Sequence, residues 1–167
     1  MIVALFTDTF TASEGAEEGR LIGALVRELL ASTPAGNLHV FCAEDDGALA
    51  GCILFTRLRY DGDARQVFLL APVAVAPDHQ RQGVGQALIA QGLDALRQKG
   101  LDVAMTYGDP AYYGKTGFRP VTVDQAAAPQ PLSQPEGWLA QSLDGDPLIP
   151  LRGAAQCVPA FDRPEYW

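Results

Sequence analysis

One stretch, "LLAPVAVAPDHQRQGVGQAL" from Leu69 to Leu88, narrows the folds open to this chain more than any other. An apolar run carrying Pro72 stops before Pro77, a polar turn follows, Gly83 and Gly85 flank Val84, and an apolar-periodic segment begins. The run reads as a buried strand and the segment after it as a helix. Val84, Leu88 and Ala95 share one helical face, Ile89, Leu93 and Leu96 extend it, and Gly100 after Arg97 and Lys99 is a natural stop. A further apolar run, "LDVAMTY", comes next, so strand, helix and strand form a crossover unit with a parallel pair.

The flanking segments fill in a mixed sheet. Residues 2–6 read as a short strand, and a helix capped by Ser13 follows, with Leu21, Leu25 and Leu29 in register. "LHVFCAE" and "ALAGCILFTRLRY" make a hairpin around "DDG", and "DGDA" turns the chain into "RQVFLLAPVAV", completing a three-strand antiparallel meander. "GDPAYYGKTGF" reads as a short helix or turn, "FRPVTV" as a strand, and "GWLAQSL" as a last strand within a proline-punctuated segment that begins at about residue 124. The expected fold class is α/β (α+β): a mixed, mostly antiparallel central sheet of six to seven strands flanked by helices. One domain over residues 1–167 is expected.

Composition excludes several function classes. The net charge of −8 and the lack of any Lys/Arg cluster argue against a nucleic-acid partner. No apolar run approaches the roughly 20 residues that span a bilayer, and the first residues lack a signal-peptide pattern, so no membrane partner is expected and the cytoplasm is the expected location. Cys42, Cys52 and Cys157 are odd in number and without CxxC spacing. They read as reduced, buried thiols rather than a disulfide framework or a metal site, and no metal is expected. His39 and His79 have no metal-ligand partners in the pattern. The closing "FDRPEYW" reads as a segment that docks on its own domain, with a homodimer contact as the other reading.

The glycine turn has two readings on its own: a tight turn with close helix packing, or an anion site. The first turn of a helix presents N–H groups without internal partners, and glycine lets an anion approach them. A Walker loop would need Lys-Ser/Thr where Gln86-Ala87 stand, and a dinucleotide fingerprint would need a third glycine where Leu88 stands. Pro72 cannot donate a ladder hydrogen bond, so Val73, Ala74 and Val75 have backbone groups to offer an extended, amide-bearing ligand. A ligand with a pyrophosphate at one end and an amide-rich arm at the other is coenzyme A.

"VAVAPDHQRQGVGQALI" resembles the acetyl-coenzyme A motif of the GNAT superfamily of N-acetyltransferases, Gln/Arg-x-x-Gly-x-Gly/Ala, and "AYYGKTGF" resembles that family's second motif. The order of elements from Ile2 to about Val123 is similar to the GNAT fold. The resemblance implies transfer of an acetyl group from acetyl-CoA to a primary amine of a small molecule or peptide, with acetyl-CoA as co-substrate. It implies that Val73, Ala74 and Val75 meet the pantetheine arm and acetyl carbonyl, and that Arg81, Gln82, Gly83, Val84, Gly85 and Gln86 cradle the pyrophosphate through amides. Tyr113 matches the tyrosine that protonates the departing thiolate, and Tyr112 a packing aromatic. Two departures stand out: Gln66–Leu70 holds no carboxylate where many relatives place a glutamate base, and Gly108-Asp109-Pro110 stands where many carry an asparagine. The missing base is the argument for the alternative, a non-catalytic acyl-CoA-binding sensor.

Overall fold

The computed structural model describes all 167 residues. Helices α1 (Ile2–Glu14), α2 (Ala16–Ser32), α3 (Val84–Gln98) and α4 (Pro110–Tyr113) accompany seven strands. These are β1 (Leu38–Asp45), β2 (Ala48–Tyr60), β3 (Val67–Val75), β4 (Val103–Tyr107), β5 (Arg119–Pro120), β6 (Trp138–Ser142) and β7 (Ala155–Gln156). They form one mixed, mostly antiparallel sheet in the order β1-β2-β3-β4-β6-β5, with β7 beside β2. The pair β3 and β4 is parallel, as the crossover requires, and β4 with β6, β5 with β6 and β2 with β7 are antiparallel. No helix is long and apolar enough to cross a membrane.

The chain divides into two compact units. The first comprises Met1–Phe55 and Ala71–Gly92, the second Thr56–Leu70 and Leu93–Trp167. In the first unit the sequence expectation for residues 2–6 is corrected: this run opens α1, not a strand. The buried residues Leu5, Phe6 and Thr9 repeat with helical, not alternating, spacing, and that face outweighs the β-branched start. Ser13 consequently lies inside α1, and Gly15, at φ 102°, makes the corner that starts α2. Gly19 and Gly23 of α2 lie against Thr11 and Thr7 of α1 so closely that a Cβ would collide with their hydroxyls, which is how two helices joined by one residue pack side by side. Cys42 is exposed, contrary to the buried thiol expected, with its Sγ 3.3 Å from that of buried Cys52.

In the second unit the proline-punctuated segment is ordered by specific polar ties. Arg65 donates to both carboxylate oxygens of Asp63 and, through its guanidinium, to the carbonyls of Ile149 and Pro150, while Arg152 N–H also donates to Asp63. The Arg65 hydrogen bonds hold the Asp63 carboxyl well below the usual carboxylate range. Trp167, 4% exposed, stacks on Tyr107 at 6.1 Å and meets Trp138 edge-on, so the closing aromatic segment docks on its own unit. The strand expected over "FRPVTV" shortens to Arg119–Pro120, because Thr122 and Gln125 close a turn right after it. β7 carries no alternating pattern long enough to be read from sequence.

Candidate active site

The parallel ladder pairs Val67–Leu70 with Val103–Thr106 and stops there. Further along β3, the Ala76 N–H donates to the Ala50 carbonyl at 2.9 Å, which fixes the side of the strand that faces β2. Backbone groups alternate along a strand, so the N–H and C=O of Val73 and Val75 point to the other side. Pro72 brings no N–H. The Val75 carbonyl accepts from Gln80 Nε2 at 3.0 Å and from Thr9 Oγ1 at 3.5 Å.

After β3 a 3₁₀ turn at Pro77–His79 reverses the chain, with His79 Nε2 3.0 Å from the Asp45 carboxylate. The next residues take left-handed conformations at Arg81 (φ 61°) and Gly83 (φ 82°). The first hydrogen bond that closes α3 runs from Ala87 N–H to the Gly83 carbonyl. The N–H groups of Gly83, Val84, Gly85 and Gln86 precede that bond and so lie outside the hydrogen-bond ladder of α3. An ordinary helix start leaves about four such donors. Gly83 is exposed and has no atom within 4 Å of where a Cβ would stand, so nothing screens these amides there. Gly85 is buried, and Arg81 and Gln82 are exposed. This is the chemistry an anionic diphosphate needs: convergent main-chain donors, the positive end of a fifteen-residue helix, and open space.

In the second unit, Asp109 caps α4 by accepting from the Ala111 N–H at 2.9 Å, with Pro110 at the first helical position. The cap places Tyr112 and Tyr113 edge-to-face at 5.0 Å, and Tyr113 meets Phe118 at 6.0 Å. Burial raises the Tyr113 phenol above its ordinary value, Tyr112 and Asp109 add to the effect, and the Thr106 side chain opposes it. Thr106 in turn donates to the Leu70 carbonyl at 2.8 Å. A Cβ at Gly108 would stand 2.7 Å from the Tyr113 ring, and one at Gly137 would stand 2.8 Å from the Gly108 carbonyl oxygen. The space beside Gly108 is therefore filled by the Tyr113 ring.

Thr106 and Gly137 escaped the sequence reading, because they act through contacts between distant segments, Thr106 on the Leu70 carbonyl and Gly137 on that of Gly108. Gln80 is the first residue of the Gln-x-x-Gly-x-Gly pattern, but its bond to the Val75 carbonyl leaves no trace there.

Residues 1–118 match the acetyltransferase (GNAT) family. The Escherichia coli N-acetyltransferase YjhQ is 36% identical over 139 residues, 80% of this chain and 76% of that protein. Among solved structures, the E. coli GNAT-family N-acetyltransferase YhbS in complex with CoA is similar with a TM-score of 0.76, at 26% identity, over 97% of this chain and 85% of its own. A Brucella melitensis GNAT-family acetyltransferase in complex with acetyl-CoA is similar with a TM-score of 0.70, also at 26% identity, over 96% of this chain and 92% of its own. The chain belongs to the GNAT family of acetyltransferases.

Proposed function

We propose that residues 1–167 act as one acetyltransferase domain that transfers an acetyl group from acetyl-CoA to a primary amine by direct attack in a ternary complex. The observation that carries this reading is the start of α3, where the Gly83–Gln86 N–H groups precede the first helical bond and nothing stands within 4 Å of where a Cβ at Gly83 would be. These amides hold the diphosphate. Val73 and Val75 offer backbone groups to the pantetheine arm, whereas those of Ala74 face β2 on the same side as the Ala76 N–H. An N–H of this strand meets the oxygen on which charge develops. Bound neighbours in the family, one carrying CoA and one acetyl-CoA, support the co-substrate.

Tyr113 donates a hydrogen bond to the departing sulfur. Full proton transfer from a phenol to a thiolate is uphill by about 2 kcal/mol at ordinary values of roughly 10 and 8.5, and burial makes the Tyr113 phenol a still weaker acid. The tyrosine therefore works as a donor that keeps its proton, and most of the rate comes from holding amine and thioester together. Asp109 is committed to its cap, and Gln66–Leu70 holds no carboxylate, so the chain supplies no identified base and the amine must arrive neutral. Turnover should rise with pH across the range in which the free amine titrates. The acidic surface favours a cationic small molecule or basic peptide as acceptor.

The missing base also favours a second reading, an acyl-CoA-binding sensor. A thiol-release assay with acetyl-CoA and polyamines, amino acids, aminoglycosides and peptide N-termini separates the two. Acceptor-dependent release with an acetylated product supports the enzyme; tight binding without turnover on any amine supports the sensor.

A further inference from the structure

The carbonyl of Val75, at the end of β3, has no lone pair to spare. A carbonyl oxygen offers two, and here Gln80 Nε2 takes one at 3.0 Å and Thr9 Oγ1 the other at 3.5 Å. The two donors differ in how easily they leave. Thr9 is 7% exposed on the thirteen-residue α1, whereas Gln80 is exposed and lies in the turn after β3. That turn brings it back: His79 N–H donates to the Ala76 carbonyl and Gln80 N–H to the Pro77 carbonyl, which carries the Gln80 side chain onto a carbonyl five residues earlier. The group it presents is an amide N–H, the same donor that a pantetheine arm presents.

We propose that Gln80 is an internal stand-in for the pantetheine amide, capping the Val75 carbonyl in the free protein and giving way when the coenzyme arrives. The inference rests on the reading that Val73 and Val75 pair with the pantetheine arm. An unpaired strand-edge carbonyl is a liability, and a glutamine five residues on removes it without a permanent partner. Binding then exchanges one amide hydrogen bond for another, so this contact adds little net affinity. When the thiol product leaves, the glutamine reclaims the carbonyl. Gln80 thus sets how tightly the arm half of the ligand is held, while the amides of Arg81–Gln86 hold the diphosphate half.

Calorimetry with two probes tests this. Coenzyme A carries both halves; adenosine 3′-phosphate 5′-diphosphate carries the diphosphate and lacks the arm. Gln80→Ala, and Gln80→Met, which keeps length without an N–H, should both bind coenzyme A about three- to tenfold tighter than the wild type. Affinity for the nucleotide probe should stay unchanged. Unchanged or weaker coenzyme A binding in the variants overturns the inference, as does an equal shift for both probes, which would place Gln80 in the turn's own support. If the wild-type protein binds neither probe, the reading on which the inference rests fails, and the inference with it.

Discussion

The glycine turn of the first unit and the aromatic corner of the second handle polar groups in opposite ways. At the start of α3 the N–H groups from Gly83 to Gln86 precede the first helical bond, which runs from Ala87 N–H to the Gly83 carbonyl. Around Tyr107, Trp138 and Trp167 the polar atoms are taken up: Trp138 Nε1–H donates to the Ala126 carbonyl and Trp167 Nε1–H to the Phe161 carbonyl, both at 2.8 Å, and the Tyr107 hydroxyl accepts from the Gln134 N–H at 2.7 Å. Unsatisfied donors cost stability when buried, whereas donors in the open are met by water, which an anion can displace. The turn is built to receive, the corner to hold.

That contrast predicts that damage in the two regions will show in different measurements. The largest effect should come from the corner. Trp167→Ala removes a buried ring that touches Tyr107, Trp138 and Phe161 and should cost about 3–5 kcal/mol in denaturant unfolding. Coenzyme A affinity of the folded fraction should change little. Gly83→Val does the reverse. A β-branched residue at φ 82° strains the turn and screens the amides, so coenzyme A binding should fall by at least about 100-fold in calorimetry. The thermal midpoint should drop by only a few degrees, because the position is exposed and the strain is worth about 1–2 kcal/mol.

Asp63 sharpens the comparison within the second unit, because its bonds hold structure and no ligand. Asp63→Asn should cost about 2 kcal/mol of stability at neutral pH, the worth of charge-assisted hydrogen bonds. The Asp63 carboxyl is depressed, chiefly by the Arg65 hydrogen bonds, so its contribution is complete above the unfolded value near 4 and fades as pH falls through the lower folded value. The wild-type and variant stability curves should therefore converge below about pH 4. The smallest effect is expected at Tyr113. Tyr113→Phe should lower kcat about tenfold, the worth of one hydrogen bond made in the transition state, and leave coenzyme A affinity roughly unchanged. Full activity would mean the ring serves packing alone.

The same contrast explains what could be read from the sequence. The crossover, the parallel pair and the glycine turn were legible because local patterns write them: apolar alternation, helical spacing and residues without side chains. The first helix was not, since "IVALF" looks like a strand until Leu5, Phe6 and Thr9 are seen to bury one helical face. The surroundings of Tyr113 were not, because Gly108 and Gly137 matter through a close approach between segments far apart in the chain. The cap that Asp109 makes is local, reaching only to the Ala111 N–H, whereas the clamp of Arg65 on the 149–152 segment links positions more than eighty residues apart and leaves no local trace.

The central claim is that bare main-chain donors at the start of α3 grip a diphosphate, and amide-resolved NMR tests it most directly. Titration of ¹⁵N-labelled protein with coenzyme A should shift the Arg81–Gln86 amide protons strongly downfield, as new hydrogen bonds form, with Trp138 and Trp167 indole signals almost still. Saturated binding that leaves those six amides unmoved would contradict the account.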